Sequence, residues 1–377
     1  MSKKLKLGLY LFGFSLLFYL LGPAHIVVLR FRNGDTAIPN YSFKYENFFH
    51  PRLKLLRQKY NLDEVIASGK SELEKIILLR HWVSQQWKSG SDFIYPPWDA
   101  VTILEMAQDK KNPNCGFCAQ YAIVYCQALM SLGIPARYVD LPGHFVVEVF
   151  SNEYNKWILQ DPSGDCHFEV NNIPLSGMEI HQKYWDNDFS EIEKVFWENG
   201  NFRRRKVVVG DLFVYRYYSI IRRNNHLSEP VNFYGENGRQ KITDFNRNEW
   251  PRVGQQNINI VDDILAYQYD LAREFPIDRP LSSRREDFDY KLNQVIIKIN
   301  KIEVKKGNIW LELAIVNPVN FSGYLAGVNG YKMRSSPGRI IWSLRLGLNR
   351  FKAMAQTSFG WQGYPAELLV FYWPGLI

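Results

Sequence analysis

The chain has 377 residues, of which 46% are hydrophobic and 22% are charged, close to ordinary globular composition. This composition excludes a wholly disordered chain, a collagen and a coiled coil, and the length predicts about two or three domains. The net charge of +8 permits attraction to anionic surfaces. The basic runs are short and scattered, so we interpret them as solvated faces and expect no nucleic-acid partner.

An apolar run follows three lysines at the amino terminus and covers residues 7–28. A run of about 20 apolar residues is typical of a membrane anchor, and basic residues before it also fit a secretory signal. No later segment of the chain is as long and as apolar. Residues 1–28 are therefore predicted as a signal peptide or membrane anchor. The rest is predicted to be extracytoplasmic, either secreted or attached to a membrane through residues 7–28.

Several helices are predicted next along the chain, the first at residues 51–60. Ser71 followed by Glu74 is a capping-box signature, and the helix it opens carries an apolar stripe that ends at Trp87. A short helix is predicted at residues 101–107. A longer one is predicted at 119–132, where Gly133 and Pro135 stop it.

Two strands, residues 144–150 and 156–160, are predicted to form a hairpin around a polar loop. With its centre near Asn152 and Glu153, this hairpin would place His144 opposite Asp161. Cross-strand Cβ atoms are about 4.5–5.5 Å apart, which suits a carboxylate that orients an imidazole. The sequence therefore predicts a base and its orienting acid.

The four cysteines, Cys115, Cys118, Cys126 and Cys166, are too few for a disulfide scaffold. Cys118 begins a predicted helix after Gly116, where the helix dipole and free backbone N–H groups favour a thiolate. Cys126 lies eight residues further on the apolar face and is predicted to be core. Cys118 is thus the candidate nucleophile.

Four stretches together resemble the transglutaminase-like superfamily over about 100 residues: Gly116-Phe117-Cys118, the LGIPAR of residues 132–137, the GHFVVEV of 143–149 and the WILQDP of 157–162. The resemblance implies a papain-like α+β domain. No cofactor and no metal are expected. The resemblance also implies that Cys118 is the nucleophile, His144 the base and Asp161 the orienting acid. Active members of the superfamily attack an amide carbonyl and form a thioester or related acyl-enzyme.

Members of this superfamily include cross-linking transglutaminases, peptidases, peptide N-glycanases and inactive scaffolds. This sequence lacks the zinc-binding cysteine pairs of the N-glycanases and shows no recognisable Ca²⁺-site acidic cluster. A protein, peptide or glycoconjugate substrate is expected, with water slightly preferred over an amine as second acceptor because water needs no second binding site. The default oxyanion donor is the backbone N–H of Cys118, and Trp98 and Asn112 are candidate side-chain donors.

Three other interpretations remain open. Cys115 and Cys118 form a CxxC pair before a helix, as in thiol–disulfide oxidoreductases, although no thioredoxin-like βαβ order surrounds them. A zinc site made of Cys115, Cys118, Cys166 and His167 is conceivable, although its second pair is adjacent instead of spaced. The third alternative is a non-catalytic transglutaminase-like module that binds a peptide or glycan.

The predicted fold class is α+β, with a papain/transglutaminase-like core domain at residues 40–190. A β-rich connecting region is predicted at 191–290. Short strands and Gly-rich turns from residue 291 onward are typical of a sandwich, so residues 291–377 are predicted as an Ig-like β-sandwich domain. Structural support and glycan or protein binding are equally compatible with that domain.

Overall fold

The structure, a computed structural model, describes residues 22–90, 94–109, 116–235, 238–241, 257–258, 263–268 and 280–375. The chain divides into two compact units. The larger comprises residues 37–291, and the smaller comprises the chain up to Thr36 together with Leu292–Ile377. Helices and largely antiparallel sheets occur in the same chain, which confirms the predicted α+β class.

The helices of the described chain all lie in the larger unit, apart from a short 3₁₀ turn at Val304–Lys306. They are α1 (Pro51–Lys59), α2 (Leu62–Val65), α3 (Glu72–Ser84), α4 (Ala100–Ala107), α5 (Cys118–Ser131), α6 (Gly177–Trp185), α7 (Val209–Leu212) and α8 (Glu286–Asp289). Helix α3 begins after Ser71, whose hydroxyl accepts a hydrogen bond from the Glu74 N–H at 3.1 Å. The Glu74 carboxylate in turn accepts from the N–H of Lys70, so the reciprocal half of the predicted capping box is displaced by one residue.

Most strands of the larger unit form two sheets. The strands are β2 (Ala136–Leu141), β3 (His144–Ser151), β4 (Lys156–Gln160), β5 (Cys166–Val170), β6 (Ile173–Pro174), β7 (Glu193–Glu198), β8 (Asn201–Lys206), β9 (Ser219–Ile221), β10 (Asn232–Gly235), β11 (Gly238–Lys241), β12 (Asn257–Ile258), β13 (Ile264–Tyr267) and β14 (Leu281–Ser282). Their orders are β14-β13-β9-β2-β3-β4 and β6-β5-β7-β8, while β11-β10-β12 form a third small sheet. Helix α5 packs against β2 and β3. Strand β3 has sheet neighbours on both edges and is buried from its second residue onward, which explains its nearly continuous apolar sequence.

Residues 207–221 lie in the predicted β-rich connecting region, and their apolar sequence predicts strands, but they are mainly helical. They form α7, a 3₁₀ turn at Phe213–Arg216 and only then β9. Asp211 is the cause, because its carboxylate accepts a hydrogen bond from the Val208 N–H at 2.9 Å and so satisfies a free donor at the helix start. A local polar cap therefore outweighs the β propensity of the valines.

The smaller unit is a two-layer sandwich. Its strands are β1 (His25–Arg32), β15 (Gln294–Glu303), β16 (Asn308–Val316), β17 (Phe321–Val328), β18 (Arg334–Ser336), β19 (Arg339–Ser343), β20 (Gly347–Thr357) and β21 (Ala366–Trp373). They form sheets of order β1-β21-β20-β17-β18 and β15-β16-β19. Side chains from both sheets, such as Leu311, Trp342, Phe351 and Leu368, share one buried cluster.

The amino-terminal strand β1 pairs antiparallel with β21, from His25–Trp373 to Arg32–Glu367. Residues 25–28 of the predicted signal or anchor segment thus lie in this strand, and residues 1–21 lie outside the described residues. Within the described ranges, no helix has both the length and the apolarity needed to cross a bilayer.

Candidate active site

Cys118 is the first residue of α5, and its thiol is partly exposed. The turn before it is closed by Gln120, whose side-chain oxygen accepts a hydrogen bond from the Phe117 N–H at 3.2 Å. Because Cys118 occupies the first helical position, its backbone N–H has no acceptor within the helix. Cys126 and Cys166 are buried, and Cys115 lies outside the described residues. Cys118 is therefore the accessible thiol in the described part of the chain.

His144 begins β3 directly after a two-residue turn of Pro142 and Gly143. Gly143 has φ +69°, the left-handed conformation that a Pro-Gly turn requires at its second position. Leu141 and His144 pair across this turn, so the turn fixes where the imidazole leaves the sheet.

Asp161 directly follows β4, but the hairpin register differs from the prediction. The ladder closes at Ser151–Lys156 and ends at Val147–Gln160, two residues away from the register that would put His144 opposite Asp161. The loop centre is displaced because Asn155 takes a left-handed conformation, φ 52°, and closes a four-residue turn. A shift of two residues leaves every side chain on its predicted face. The side chains still meet, with His144 Nε2 at 2.9 Å from Asp161 Oδ2.

The Asp161 carboxylate is held by the turn that comes after it. Its Oδ1 accepts three hydrogen bonds, from Ser163 N–H at 3.0 Å, Ser163 Oγ at 2.8 Å and Gly164 N–H at 2.9 Å. A Cβ at Gly164 would lie 2.9 Å from Oδ2, so only glycine lets the carboxylate keep this position. Oδ2 therefore remains directed at His144.

The charges in the site favour a protonated imidazole. Burial alone would lower the pKa of His144, but hydrogen bonds to Asp161 and Cys118 and the charges of both outweigh it and raise this pKa to about 10. Burial would likewise raise the pKa of Asp161, but the hydrogen bond and charge of His144 lower it to about 2. At neutral pH the site is thus suited to an imidazolium paired with the Asp161 carboxylate.

Of the two side chains predicted as oxyanion donors, Trp98 is buried and its indole N–H donates to Tyr95 Oη at 3.2 Å. The donor is already used inside the protein, and the Trp98 ring packs edge-on against Tyr138 and Phe145. Asn112 lies outside the described residues.

Trp87 is a potential donor that the sequence interpretation assigned only to the apolar stripe of α3. Its indole N–H is buried and has no hydrogen-bond partner among the described residues. A Cβ built on Gly116, two residues before Cys118, would lie 3.2 Å from this nitrogen. The ring stacks on Tyr121 at 4.1 Å, and Tyr121 Oη donates to the Trp87 carbonyl, so the indole is held in place. Only the unmatched Trp87 N–H, visible in three dimensions, distinguishes it from a core residue.

The zinc and redox interpretations both need Cys115, which the structure does not describe. Burial raises the pKa of Cys166 to about 12, and His167 lies between Arg80 and Glu169. The described residues contain no group of three or more His, Cys, Asp or Glu side chains arranged to hold a metal ion.

Residues 61–162 match the family model of the transglutaminase-like superfamily. This part of the chain belongs to that superfamily. The matched range contains Cys118, His144 and Asp161, and it ends just beyond the last of them. A search of curated proteins finds no match.

Among solved structures, the crystal structure of red sea bream transglutaminase is similar over 96% of this chain at 12% identity, with a TM-score of 0.26. The chain spans 63% of the length of that transglutaminase. The assignment to the superfamily depends on the sequence match over residues 61–162.

Proposed function

We propose that this protein is a cysteine-dependent acyl-transfer enzyme that acts at an amide carbonyl through a thioester. The observation that carries the proposal is the His144 imidazole, whose Nε2 lies 2.9 Å from the buried Asp161 carboxylate and whose pKa the neighbouring Asp161 and the accessible Cys118 raise. A nucleophile, a base and an orienting acid in this order form the constellation of cysteine acyl transferases. Membership in the transglutaminase-like superfamily supports the same chemistry.

In the first half-reaction, Cys118 Sγ attacks the carbonyl carbon and forms a C–S bond. The tetrahedral intermediate collapses with loss of the C–N bond, and the leaving amine takes a proton from the His144 imidazolium. In the second half-reaction, the neutral imidazole accepts a proton from the incoming acceptor, which attacks the thioester and releases the thiolate. Asp161 holds Nε2–H, which leaves Nδ1 to exchange protons at the reacting atoms.

The developing oxyanion needs donors beside the thiol. The backbone N–H of Cys118 is available by its position at the start of α5. The Trp87 indole N–H is a buried donor beside Gly116 that has no partner among the described residues. We therefore propose this pair as the oxyanion donors.

Water is the proposed second acceptor, because hydrolysis requires no further binding site, and a primary amine is the alternative. The proposed substrate class is a protein, peptide or glycoconjugate outside the cytoplasm. The support for that location is the apolar run of residues 7–28, whose lysine-flanked pattern fits export.

The proposal is tested with the purified full chain and a peptide library prepared from a whole proteome, with and without a dansylated primary amine. We expect new carboxylate termini or deamidated glutamines, amine adducts if an amine can compete, and an acyl adduct on Cys118 in acid-quenched samples. Cys118→Ala should reduce turnover at least roughly 10³-fold, because the nucleophile is lost.

Cys115→Ala is the matched control, since it removes the neighbouring thiol of the same loop and should retain most of the activity. Equal loss in both variants would support redox chemistry by the CxxC pair instead. A wild-type chain that modifies no peptide, and whose Cys118 reacts with iodoacetamide only after denaturation, would contradict the proposal and favour a binding module.

A further inference from the structure

Arg80 lies in the middle of α3, and its guanidinium is completely buried. Nε donates to Asp165 Oδ1 at 3.0 Å and Nη2 to the Asp165 carbonyl at 3.4 Å. Nη1 donates to Gln160 Oε1 and contacts His167 Nδ1, both at 2.7 Å. A buried arginine is costly unless its donors are matched, and here they converge on one short segment.

That segment is the turn that carries Asp161. Gln160 immediately precedes Asp161, while Asp165 and His167 follow it by four and six residues. The turn is closed by a pair of backbone hydrogen bonds between Asp161 and Cys166, at 2.9 and 3.1 Å. Arg80 therefore binds both arms of the turn at once, which a single planar guanidinium can do and a lysine ammonium cannot.

The protonation of His167 matches this role. Burial lowers the pKa of His167 to about 4, so the ring is neutral at neutral pH. Its Nε2 lies 2.9 Å from Glu169 Oε1, which places the proton there and leaves Nδ1 as an acceptor for Arg80. The guanidinium thus has an acceptor on each side of the turn.

Asp165 is held in a conformation that needs support. Its φ is 42°, a left-handed backbone that non-glycine residues adopt at some cost. Its Oδ1 accepts from Arg80, and its Oδ2 lies 2.6 Å from His81 Nδ1. The His81 ring stacks on Trp197, at 3.9 Å between ring centres. Two neighbouring residues of α3 therefore fix the one strained residue of the turn.

We infer that Arg80 is a positioning residue, which acts through the turn of residues 160–167 to hold the Asp161 carboxylate against the His144 imidazole. The inference rests on the proposed function and extends it from the reacting groups to the helix behind them. Arg80 itself contacts neither Cys118 nor His144 among the hydrogen bonds of the described residues. If the turn loosens, the imidazolium loses its partner and the thiolate loses the imidazolium.

Three other titratable side chains near these residues stay neutral over the relevant pH range. Burial raises the pKa of Tyr95, which lies near Cys118, and of Tyr215, which lies near Asp161. Burial also keeps Cys166 a thiol, with a pKa of about 12. Lys194 is the further cation near the turn, and it pairs with Asp211 at 3.5 Å. The acid limb of Cys118 reactivity is the low-pH part of its pH profile, where the rate of alkylation falls as the pH drops. A shift of this limb would therefore report on the imidazole and its acid.

The test measures the rate of alkylation of Cys118 by iodoacetamide between about pH 4 and pH 8 in the full chain, with the modified residue identified by fragment mass spectrometry. Arg80→Lys keeps the charge and removes the planar fork. We expect its acid limb to move up by about 0.5 to 1 pH unit, so that alkylation near pH 5 falls roughly 3- to 10-fold. Asp165→Asn should shift the limb in the same direction, and asparagine tolerates the left-handed backbone.

Arg57→Lys is the matched control, because Arg57 also forms a two-point pair, with Asp63, but lies away from the turn. Its acid limb should stay at the wild-type position. If Arg80→Lys does not fold, Asp165→Asn decides the question alone. If Arg80→Lys and Asp165→Asn both fold and their acid limbs stay at the wild-type pH, the positioning role is overturned and the proposed function is left intact. Absence of native-state Cys118 alkylation in the wild-type chain would instead count against the proposed function.

Discussion

At the scale of single residues, the candidate site depends on how the hydrogen bonds of Asp161 and of two tryptophans are matched. Asp161 Oδ1 accepts three hydrogen bonds from its own turn, and Oδ2 accepts from His144. The Trp98 indole N–H donates to Tyr95, whereas the Trp87 indole N–H has no partner among the described residues. A buried unpaired donor costs about 1–3 kcal/mol, so its retention near the nucleophile favours a functional role.

The two tryptophans allow a matched test. Trp87→Phe keeps the ring stacked on Tyr121 and removes the N–H, so we expect the rate of acyl-enzyme formation to fall by about 10²-fold. Trp98→Phe removes an N–H that is used inside the protein and should reduce that rate much less. Neither change should alter alkylation of Cys118 by iodoacetamide, which develops no oxyanion. Similar losses from both substitutions would contradict the assignment of Trp87.

At the scale of elements, short turns determine the direction in which the site residues point. The Pro142–Gly143 turn starts β3 at His144, and Gly143 has φ +69° with open space where a Cβ would lie. The hairpin of β7 and β8 turns at Asn199 and Gly200, where Gly200 has φ +82° and is equally free of contacts. The two glycines are therefore alike in backbone and surroundings, but only Gly143 immediately precedes a residue of the candidate site.

Gly143→Ala and Gly200→Ala should each lower the free energy of unfolding by about 1–2 kcal/mol, the cost of a left-handed alanine. Urea titrations measure this cost. Only Gly143→Ala should also slow alkylation of Cys118, because it disturbs the turn that projects His144. Gly143→Asn should recover much of the lost stability, since asparagine tolerates a left-handed backbone. Equal effects on alkylation from both alanine variants would show that the turn does not position the imidazole.

At the scale of the whole molecule, buried imidazoles make stability dependent on pH. Burial lowers the pKa of His167 to about 4 and also lowers the pKa values of His181 and His226. These groups are neutral when folded but take up protons in the unfolded chain below about pH 6.5. The unfolded state thus binds more protons, and stability falls as the pH drops from 6.5 towards 4. The raised pKa of His144 acts oppositely, since its contribution is lost as the pH rises from 6.5 towards about 10.

His226→Phe tests the acid side of this profile. His226 lies edge-on to Trp98 at 4.6 Å between ring centres, and neither ring nitrogen has a partner among the described residues. Phenylalanine keeps a flat ring there and cannot be protonated. We expect the slope of unfolding free energy against pH, measured by denaturant titration between pH 6.5 and 4.5, to decrease by up to about 1.4 kcal/mol per pH unit. An unchanged slope would mean that His226 takes up no proton on unfolding.

Much of the candidate site could be predicted because its signals are local. The Ser71 cap, the glycines and prolines that end helices, and the alternation around His144 all act over a few residues. They predicted the start of α3 and the limits of α5, β3 and β4 to within a residue or two, whereas α3 ends at Ser84, before the predicted stripe does at Trp87. The hairpin register was wrong by two residues, because the conformation of Asn155 decides where the turn closes. The helix at residues 209–212 was missed because one carboxylate cap outweighs β propensity.

The sequence by itself determined the order of a cysteine at a helix start, a histidine at a strand start and an aspartate after the next strand, and it indicated the superfamily of residues 61–162. Only the tertiary structure decided that the His144 imidazole meets the Asp161 carboxylate despite the shifted register, that Arg80 of α3 binds the turn around Asp161, and that the Trp87 N–H has no described partner. The pairing of β1 with β21, at opposite ends of the chain, is likewise visible only in the tertiary structure. Caps, turns and periodicity are encoded within a few residues, whereas contacts between distant segments depend on how whole elements pack, and no local pattern specifies that packing.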